Sequence, residues 1–441
     1  MLNEKKNDKL YLKINPDDID PKALFIIRKL NDFGFDAFLV GGGIRDLILR
    51  KNINDWDITT QAPVEEIIKS FNNFKIVTVG KKHGTILLVS NRIQYQVSTF
   101  KSIIGIQPNL QSDLRCRDFT INSMAWNEKN RLVDLSNGIM DIREGIIRFT
   151  ENSQDRIRED PLRMLRAIRL ACELDFKIEK GGLEEIYDHC ELLQKVSIER
   201  VRDEFIKILL SNSPGRGFRL LYRLKLLIFI MPELQKCVGI RKEYLQNDED
   251  LFEYILDLLE NLPSNLILRL SMILYIIKNI SKLEDKKEIT TKILSRIRFK
   301  NAVIKKVNIM TQENWETIHF SEKKKIRQLA SRIGMENLED FWELCKTLIK
   351  ANRNAEKSKL EEIRTGKNNL KEILKEKPPV SLKDLVIKGK DLIELGYKEG
   401  KGIKDILNEL LNLVLEKPEL NQKKILQNLV KKFNHLKSKT I

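Results

Sequence analysis

The sequence predicts an α+β fold: a small mixed-sheet head followed by an all-helical remainder. Three observations predict it. Short β-branched runs separated by turns crowd into residues 35–149, and none follows Arg156. From Leu162, Leu165, Ile168 and Leu170 onward, apolar residues recur at helical spacing to the C-terminus. A chain of 441 residues is also too long for one hydrophobic core, so several domains are expected.

The head is justified strand by strand. FDAFLV (35–40), DWDITT (55–60), FKIVTV (74–79), GTILLVS (84–90) and RIQYQVSTF (92–100) each read as strands. Between the first two, GGGIRDLILR is a glycine-rich turn opening into a short helix. In the helical part, breaks are expected at 211–217 (SNSPGRG), near Pro232, near Pro263 and at 377–380 (KPPV). The Lys/Glu/Asn-rich stretch 351–377 reads as a charged helix or linker, and glycines mark turns in a compact helical unit after it. The expected domains are a head at 1–150, a helical neck at 151–212, a body at 213–376 and a tail at 377–441.

Composition narrows the function. Lys and Arg number 79 against 63 Asp and Glu, a net charge of +16, which raises the local concentration of a polyanion such as nucleic acid. The five cysteines are widely spaced, with no CxxC or Cys/His cluster, so neither a disulfide framework nor a zinc site is expected. The N-terminus lacks the apolar core of a signal peptide, and no apolar stretch is long enough to span a bilayer. A soluble cytoplasmic protein with no membrane partner is expected.

The segment 38–60 carries the chemistry. Asp55 and Asp57 are two apart in a strand-like run, so both side chains leave the same face. Two adjacent carboxylates repel unless a cation lies between them, and hard oxygen ligands with phosphate nearby suit Mg²⁺. Upstream, Gly41 and Gly42 end an apolar strand and lead into a helix with Arg45 and Asp46. Bare backbone N–H groups and a guanidinium make an anion site. The GxxxxGK[ST] pattern of a P-loop is absent.

LVGGGIRD and DWD resemble the first motif of the class II tRNA nucleotidyltransferase and bacterial poly(A) polymerase family, of the polymerase β superfamily. The resemblance implies a polymerase β-like head, with Asp55 and Asp57 as catalytic metal ligands and Gly42 and Arg45 as nucleoside triphosphate contacts. RCRDFTINSMAW (115–126) resembles the family's RRDFTINAMAY motif. There Arg117, Asp118 and Asn122 read as polar groups on a helical start, Arg117 for triphosphate and Asp118 for a ribose hydroxyl. Cys116 replaces the first of two usual arginines. VDLSNGIMDIREGIIRF (133–149), through Asp134, Gly138, Asp141 and Arg148, resembles the segment joining the sheet to the next domain.

REDPLRMLRAIRLACELDF (158–176) reads as a helix with Asp160 and Arg163 three apart on one face. A carboxylate beside a guanidinium matches the amino donor and acceptor of cytosine or adenine. It mismatches uracil and guanine, at about 1–3 kcal/mol per bidentate contact. EDPLR resembles the EDxxR motif credited with this templating. Arg166 and Arg169, at further three-residue steps, are expected to extend a basic rail for the nucleotide. SIERVRDEF (197–205), with Glu199, Arg200 and Glu204, resembles a bracing motif, and IKGKDLIELG (387–396) resembles the tail of Firmicute-type relatives.

The resemblance implies addition of CCA to the tRNA 3′ end from CTP and ATP, using Mg²⁺. Two departures bear on the product. Gln96 stands where many relatives carry Glu, and the segment 100–113 is shorter than in CCA-adding relatives, which makes a CC-adding enzyme the alternative. Poly(A) polymerase and a non-catalytic RNA-binding relative are the further alternatives. With His83, His189, His319 and His435 alone, no appended HD-type phosphohydrolase is expected.

Overall fold

The computed structural model describes residues 14–53, 55–78, 84–91, 93–101, 107–241, 250–280, 288–315, 318–351 and 357–437. Part of the shortened segment 100–113 therefore lies outside the described residues, as does part of the stretch 351–377. The chain forms two compact units, Met1–Phe229 and Ile230–Ile441.

In the first unit, seven strands form one mixed sheet among the described residues, in the order β3-β4-β5-β2-β1-β6-β7. These are β1 (Ala37–Val40), β2 (Trp56–Thr60), β3 (Lys75–Val77), β4 (Thr85–Ser90), β5 (Ile93–Thr99), β6 (Met124–Asn127) and β7 (Arg131–Asp134). All five strands read from sequence are present. The helix α1 (Pro21–Asp32) precedes them, with Pro21 at its first turn and the Asp20 carboxylate accepting the N–H groups of Lys22 and Ala23. Such a cap contributes about 1 kcal/mol. Ala23, Ile26, Ile27 and Leu30 form its buried stripe against the sheet.

The pairing of β1 with β2 is antiparallel, with Val40 opposite Asp57, while β2 and β5 run parallel with Asp57 opposite Gln96. The end of β1 thus meets the start of β2. The glycine turn, distant in sequence, is brought against Asp57 by register alone. Residues directly opposite share a face, so Val40, Asp57 and Gln96 point the same way. On that face Phe38, Val40, Phe100, Leu114 and Ala125 form a core cluster.

Two local expectations are corrected. The segment 115–126 is not a helical start: the helix Leu110–Arg115 ends there, a single 3-10 turn covers Thr120–Asn122, and Met124–Asn127 is strand β6. Pairing of β6 with β1, Val40 opposite Ala125, overrides the helical pattern. The earlier helices are α2 (Gly42–Ile48), α3 (Val64–Ser70) and α4 (Leu110–Arg115). Strand signal also persists beyond Arg156, since β8 (Ile146–Ile147) pairs with β9 (Lys177–Ile178).

After the sheet come α5 (Gly138–Glu144), α6 (Ser153–Glu159), α7 (Arg163–Leu174), α8 (Lys180–Asp188), α9 (Ile198–Leu210) and α10 (Pro214–Arg223). The predicted break at 211–217 falls between α9 and α10, with Pro214 at the first turn, where its missing N–H costs nothing. Helix α10 packs on α7 and α9, so the unit boundary at 229/230 lies beyond the neck limit of 212 expected from sequence.

The second unit is helical throughout its described residues. Tyr275 and Trp315 stack at 3.8 Å in its core, and Arg327, buried, donates to the carbonyls of Leu415 and Glu416, capping the helix Lys401–Glu416. Helices Lys357–Glu376, Gly389–Glu394 and Lys401–Glu416 occupy the regions where charged and glycine-punctuated helices were expected. No helix among the described residues is long and apolar enough to cross a membrane.

Candidate active site

A cavity of about 270 Å³ opens in the first unit, lined by Asp57, Thr85, Gln96, Ser98, Lys101, Asp113, Cys116, Arg117, Asp118, Asp160, Arg163 and Arg166. The sheet supplies one wall. Asp57, Gln96 and Ser98 lie on one face by register, and Thr85 sits opposite Ser98. The end of α4 and the turn after it, together with the start of α7, supply the rest.

Asp57 is the residue around which this wall is built. Gly41 has φ +78°, a left-handed conformation that favours glycine, and a Cβ there would lie 3.1 Å from Asp57 Oδ2 and 3.2 Å from Arg117 Nη1. Burial pushes the Asp57 carboxyl above its usual range, opposed by the charge of Arg117 and reinforced by that of Asp55. Asp55 is exposed and stands one residue before β2, not within it. No ion pair or hydrogen bond holds either carboxylate among the described residues. Two neighbouring carboxylates, one partly desolvated and neither in an ion pair among the described residues, suit a hard divalent ion.

Arg117 follows α4. Its Nη2 donates to Asp113 at 3.0 Å, and its Nε is buried without a partner. Asp118 is buried. Desolvation works to raise its carboxyl, but Arg166 and the hydrogen bonds from Asn122 and the Phe119 N–H hold it below the usual range. Arg166 Nη2 lies 2.8 Å from Asp118 Oδ2, yet that oxygen receives no aligned hydrogen bond.

Gly42, Arg45 and Asn122 do not line the cavity. Arg45 is nearly buried, with Nε and Nη2 on Asp46 and Nη1 on Asn122 Oδ1 at 2.7 Å; Asn122 Nδ2 in turn donates to Asp118. The glycine turn is thus tied to Asp118 through two side chains. Asp134 accepts the N–H groups of Ser136, Gly138 and Ile139, while Asp141 accepts from Thr120 and Arg148, knitting this region together.

The helix expected at 158–176 is broken, and that is a correction with a plain cause. Pro161 disfavours helical backbone at the residue before it, so Asp160 is extended (φ −144°, ψ 94°), α6 stops at Glu159 and α7 starts at Arg163. Asp160 and Arg163 meet at the cavity through this bent junction, not as neighbours on one helical face. Asp160 accepts from Arg200 at 2.8 Å, and Arg163 donates to Glu159 and to the carbonyls of Arg156 and Cys116.

Arg169 departs from the rail. Each three-residue step rotates by about −60° around a helix, so two steps carry it roughly 120° from Arg163. It instead donates to Glu204 at 2.7 Å and Glu173 at 2.8 Å, away from the cavity. Glu204 does brace the preceding helix, as expected, but Arg200 reaches the cavity through Asp160. Sequence reading missed Lys101 and Asp113 as wall residues. The four-residue spacing of Asp113 and Arg117 was the available signal for the second, and nothing marked Lys101.

The family described as Poly A polymerase head domain matches residues 37–148, and that described as probable RNA and SrmB-binding site of polymerase A matches 175–237. Among solved structures, the Bacillus stearothermophilus CCA-adding enzyme in complex with CTP superposes with a TM-score of 0.74 at 26% identity, covering 96% of this chain and 100% of that one. The Thermotoga maritima CCA-adding enzyme complexed with tRNA shares the fold, with a TM-score of 0.64 at 21% identity, over 97% and 98% of the two chains. The Enterococcus faecalis CCA-adding enzyme is 41% identical over 207 residues, 44% of this chain and 50% of its own. The likeness to the Ligilactobacillus salivarius CCA-adding enzyme, 31% identical over 433 residues, spans 95% of this chain and 97% of that one. Likeness on that scale reaches well past the head and its cavity, and the chain belongs to the CCA-adding enzyme family of nucleotidyltransferases.

Proposed function

We propose that this chain adds CCA to the 3′ end of tRNA, with CTP and ATP as donors and Mg²⁺ held by Asp55 and Asp57. The observation that carries the reading is Asp57, half-buried beside Gly41 with no ion pair among the described residues, in one cavity with Arg117, Asp118, Asp160 and Arg163. The names of its relatives support the same product.

In this reaction the tRNA 3′-hydroxyl oxygen bonds to the α-phosphorus, the bond to the β-phosphate oxygen breaks, and pyrophosphate leaves with that electron pair. Asp55 and Asp57 would hold magnesium, which would supply positive charge for the deprotonated hydroxyl and the leaving pyrophosphate. The chain's own residues do the remaining work. Arg117, with its unpartnered Nε, and Arg166 offer donors to the triphosphate. Asp118, paired with Arg166, accepts from a ribose hydroxyl. Gly42, Arg45 and Asn122 hold the glycine turn and Asp118 in place. Asp160 and Arg163 present an acceptor and donors to the edge of cytosine or adenine and leave uracil and guanine mispaired. Arg169 holds α7 against α9.

The head (1–150) and neck (151–212) enclose the nucleotide, while body (213–376) and tail (377–441) grip the tRNA through phosphate and shape. This work belongs in the cytoplasm. The test incubates tRNA lacking CCA with labelled CTP and ATP, separately and together. Addition of all three nucleotides is expected. Arrest after two C residues would make it a CC-adding enzyme, long tails a poly(A) polymerase, and no incorporation a non-catalytic RNA-binding relative.

A further inference from the structure

Asp113 is the most enclosed carboxylate on the cavity wall, with a side chain 1% exposed. Its two oxygens are divided between two different parts of the chain. Oδ2 accepts from Arg117 Nη2 at 3.0 Å, and Oδ1 accepts the backbone N–H of Lys101 at 3.0 Å. The adjacent Ser112 hydroxyl donates to the Lys101 carbonyl at 2.7 Å, so Lys101 is gripped on both sides of its peptide unit. Asn109 and Ser112 cap one another at the start of α4, which fixes the first turn that carries Asp113.

The two residues so held are both cations of the cavity, and both act electrostatically on Asp57. Lys101 has no ion-pair partner among the described residues. Arg117 Nη1 lies beside Gly41 close to the Asp57 carboxylate, without an ion pair to it. A planar guanidinium fastened by one amine keeps its other donors in a fixed direction. Released from Asp113, it would have a nearby unpaired carboxylate to close upon, namely Asp57.

We propose that Asp113 is a positioning residue: it holds Arg117 away from Asp57 and sets Arg117 and Lys101 as one clamp for the polyphosphate of the incoming nucleotide. The proposal rests on the nucleotidyltransferase reading of the cavity and adds to it the residue that orients the clamp. Asp113 touches no reacting atom itself.

The test compares binding of CTP and of CMP to the full chain at saturating Mg²⁺ by calorimetry, for the wild type, D113N, R117A and the double variant. Asparagine keeps the acceptor for Lys101 and removes the charge that holds Arg117. Loss of one charge-assisted contact predicts about a ten-fold weaker CTP affinity in D113N, with CMP affinity unchanged. The double variant is expected to be no weaker than R117A, because the effect of Asp113 runs through Arg117. Equal weakening of both ligands, unchanged CTP affinity, or additive losses would overturn the proposal. If D113N does not fold, R117K takes its place, since it keeps the charge and loses the fork; an unchanged CTP-to-CMP ratio there overturns it equally. Wild-type protein that binds CTP no better than CMP would instead sink the underlying nucleotide reading.

Discussion

The two walls of the cavity treat their carboxylates in opposite ways. On the helical wall each acid faces an arginine: Asp113 with Arg117, Asp118 with Arg166, Asp160 with Arg200. On the sheet wall Asp57 forms no ion pair among the described residues, and the position beside it in β5 is the neutral Gln96. Both Asp57 and Asp118 are desolvated, yet one carboxyl is raised and the other lowered. Arg117, Arg166 and Lys101 all act on Asp57 through space, yet none forms an ion pair with it among the described residues. The helical wall pairs its acids with arginines, and the sheet wall leaves Asp57 without such a pair among the described residues.

The sharpest way to break this contrast is Asp57→Ala. Nucleotide incorporation is expected to fall by at least about a thousand-fold, while tRNA retention in a filter-binding assay stays near wild type. Turnover close to wild type would remove the distinction between the walls. Next in size is Arg169→Ala, which leaves Glu204 buried with only the long contact from Lys207 at 3.4 Å. Stripping one partner from a buried pair costs about 3 kcal/mol, to be read by urea unfolding. Nucleotide selectivity is expected to survive, because Arg169 does not line the cavity; altered selectivity would return Arg169 to the nucleotide rail.

A smaller effect is expected from Asp160→Ala or Arg163→Ala. Loss of about 1–3 kcal/mol of edge discrimination corresponds to roughly a 5- to 150-fold rise in UTP or GTP incorporation relative to CTP and ATP. Competition between labelled nucleotides measures it. Selectivity equal to wild type in both variants would mean that the junction before α7 does not read the base.

Much of this arrangement is legible in the sequence, and the limits of legibility have physical causes. The strand of Asp57 and the glycine turn are legible because a β-branched run and a bare turn are local patterns, whereas Asp55 stands outside β2 and does not line the cavity. The junction at Asp160 is also available, since Pro161 dictates it, but a helical apolar stripe on both sides hides a three-residue break. Arg169 was misplaced by treating three-residue steps as one face. Strand β6 is four residues long and is made by its pairing with β1, which no local signal reports. The roles of Lys101 and Asp113 depend on chain closure around the segment between them, a tertiary fact.

The finest test of the two walls uses acid. Asp118 has a folded-state carboxyl held below its ordinary value, chiefly by Arg166 acting against burial. A depressed carboxylate contributes stability that is fully present above the unfolded value of about 3.9 and is lost as pH falls through the lower folded value. Asp118→Asn removes that contribution and keeps the shape. The variant is therefore expected to be less stable than wild type at neutral pH, by on the order of 1 kcal/mol. The gap should narrow steadily as the pH is lowered below about 4, where wild-type Asp118 takes up its proton. Comparing the gap, not either curve alone, cancels the acid response of carboxylates elsewhere, such as Asp384 and Glu128, which are also held low. Paired melting curves from neutral pH down to the acid limit of solubility measure it. A gap that stays constant or widens in acid would mean that Asp118 is not held ionised by its arginine, and that the helical wall is no better matched than the sheet wall.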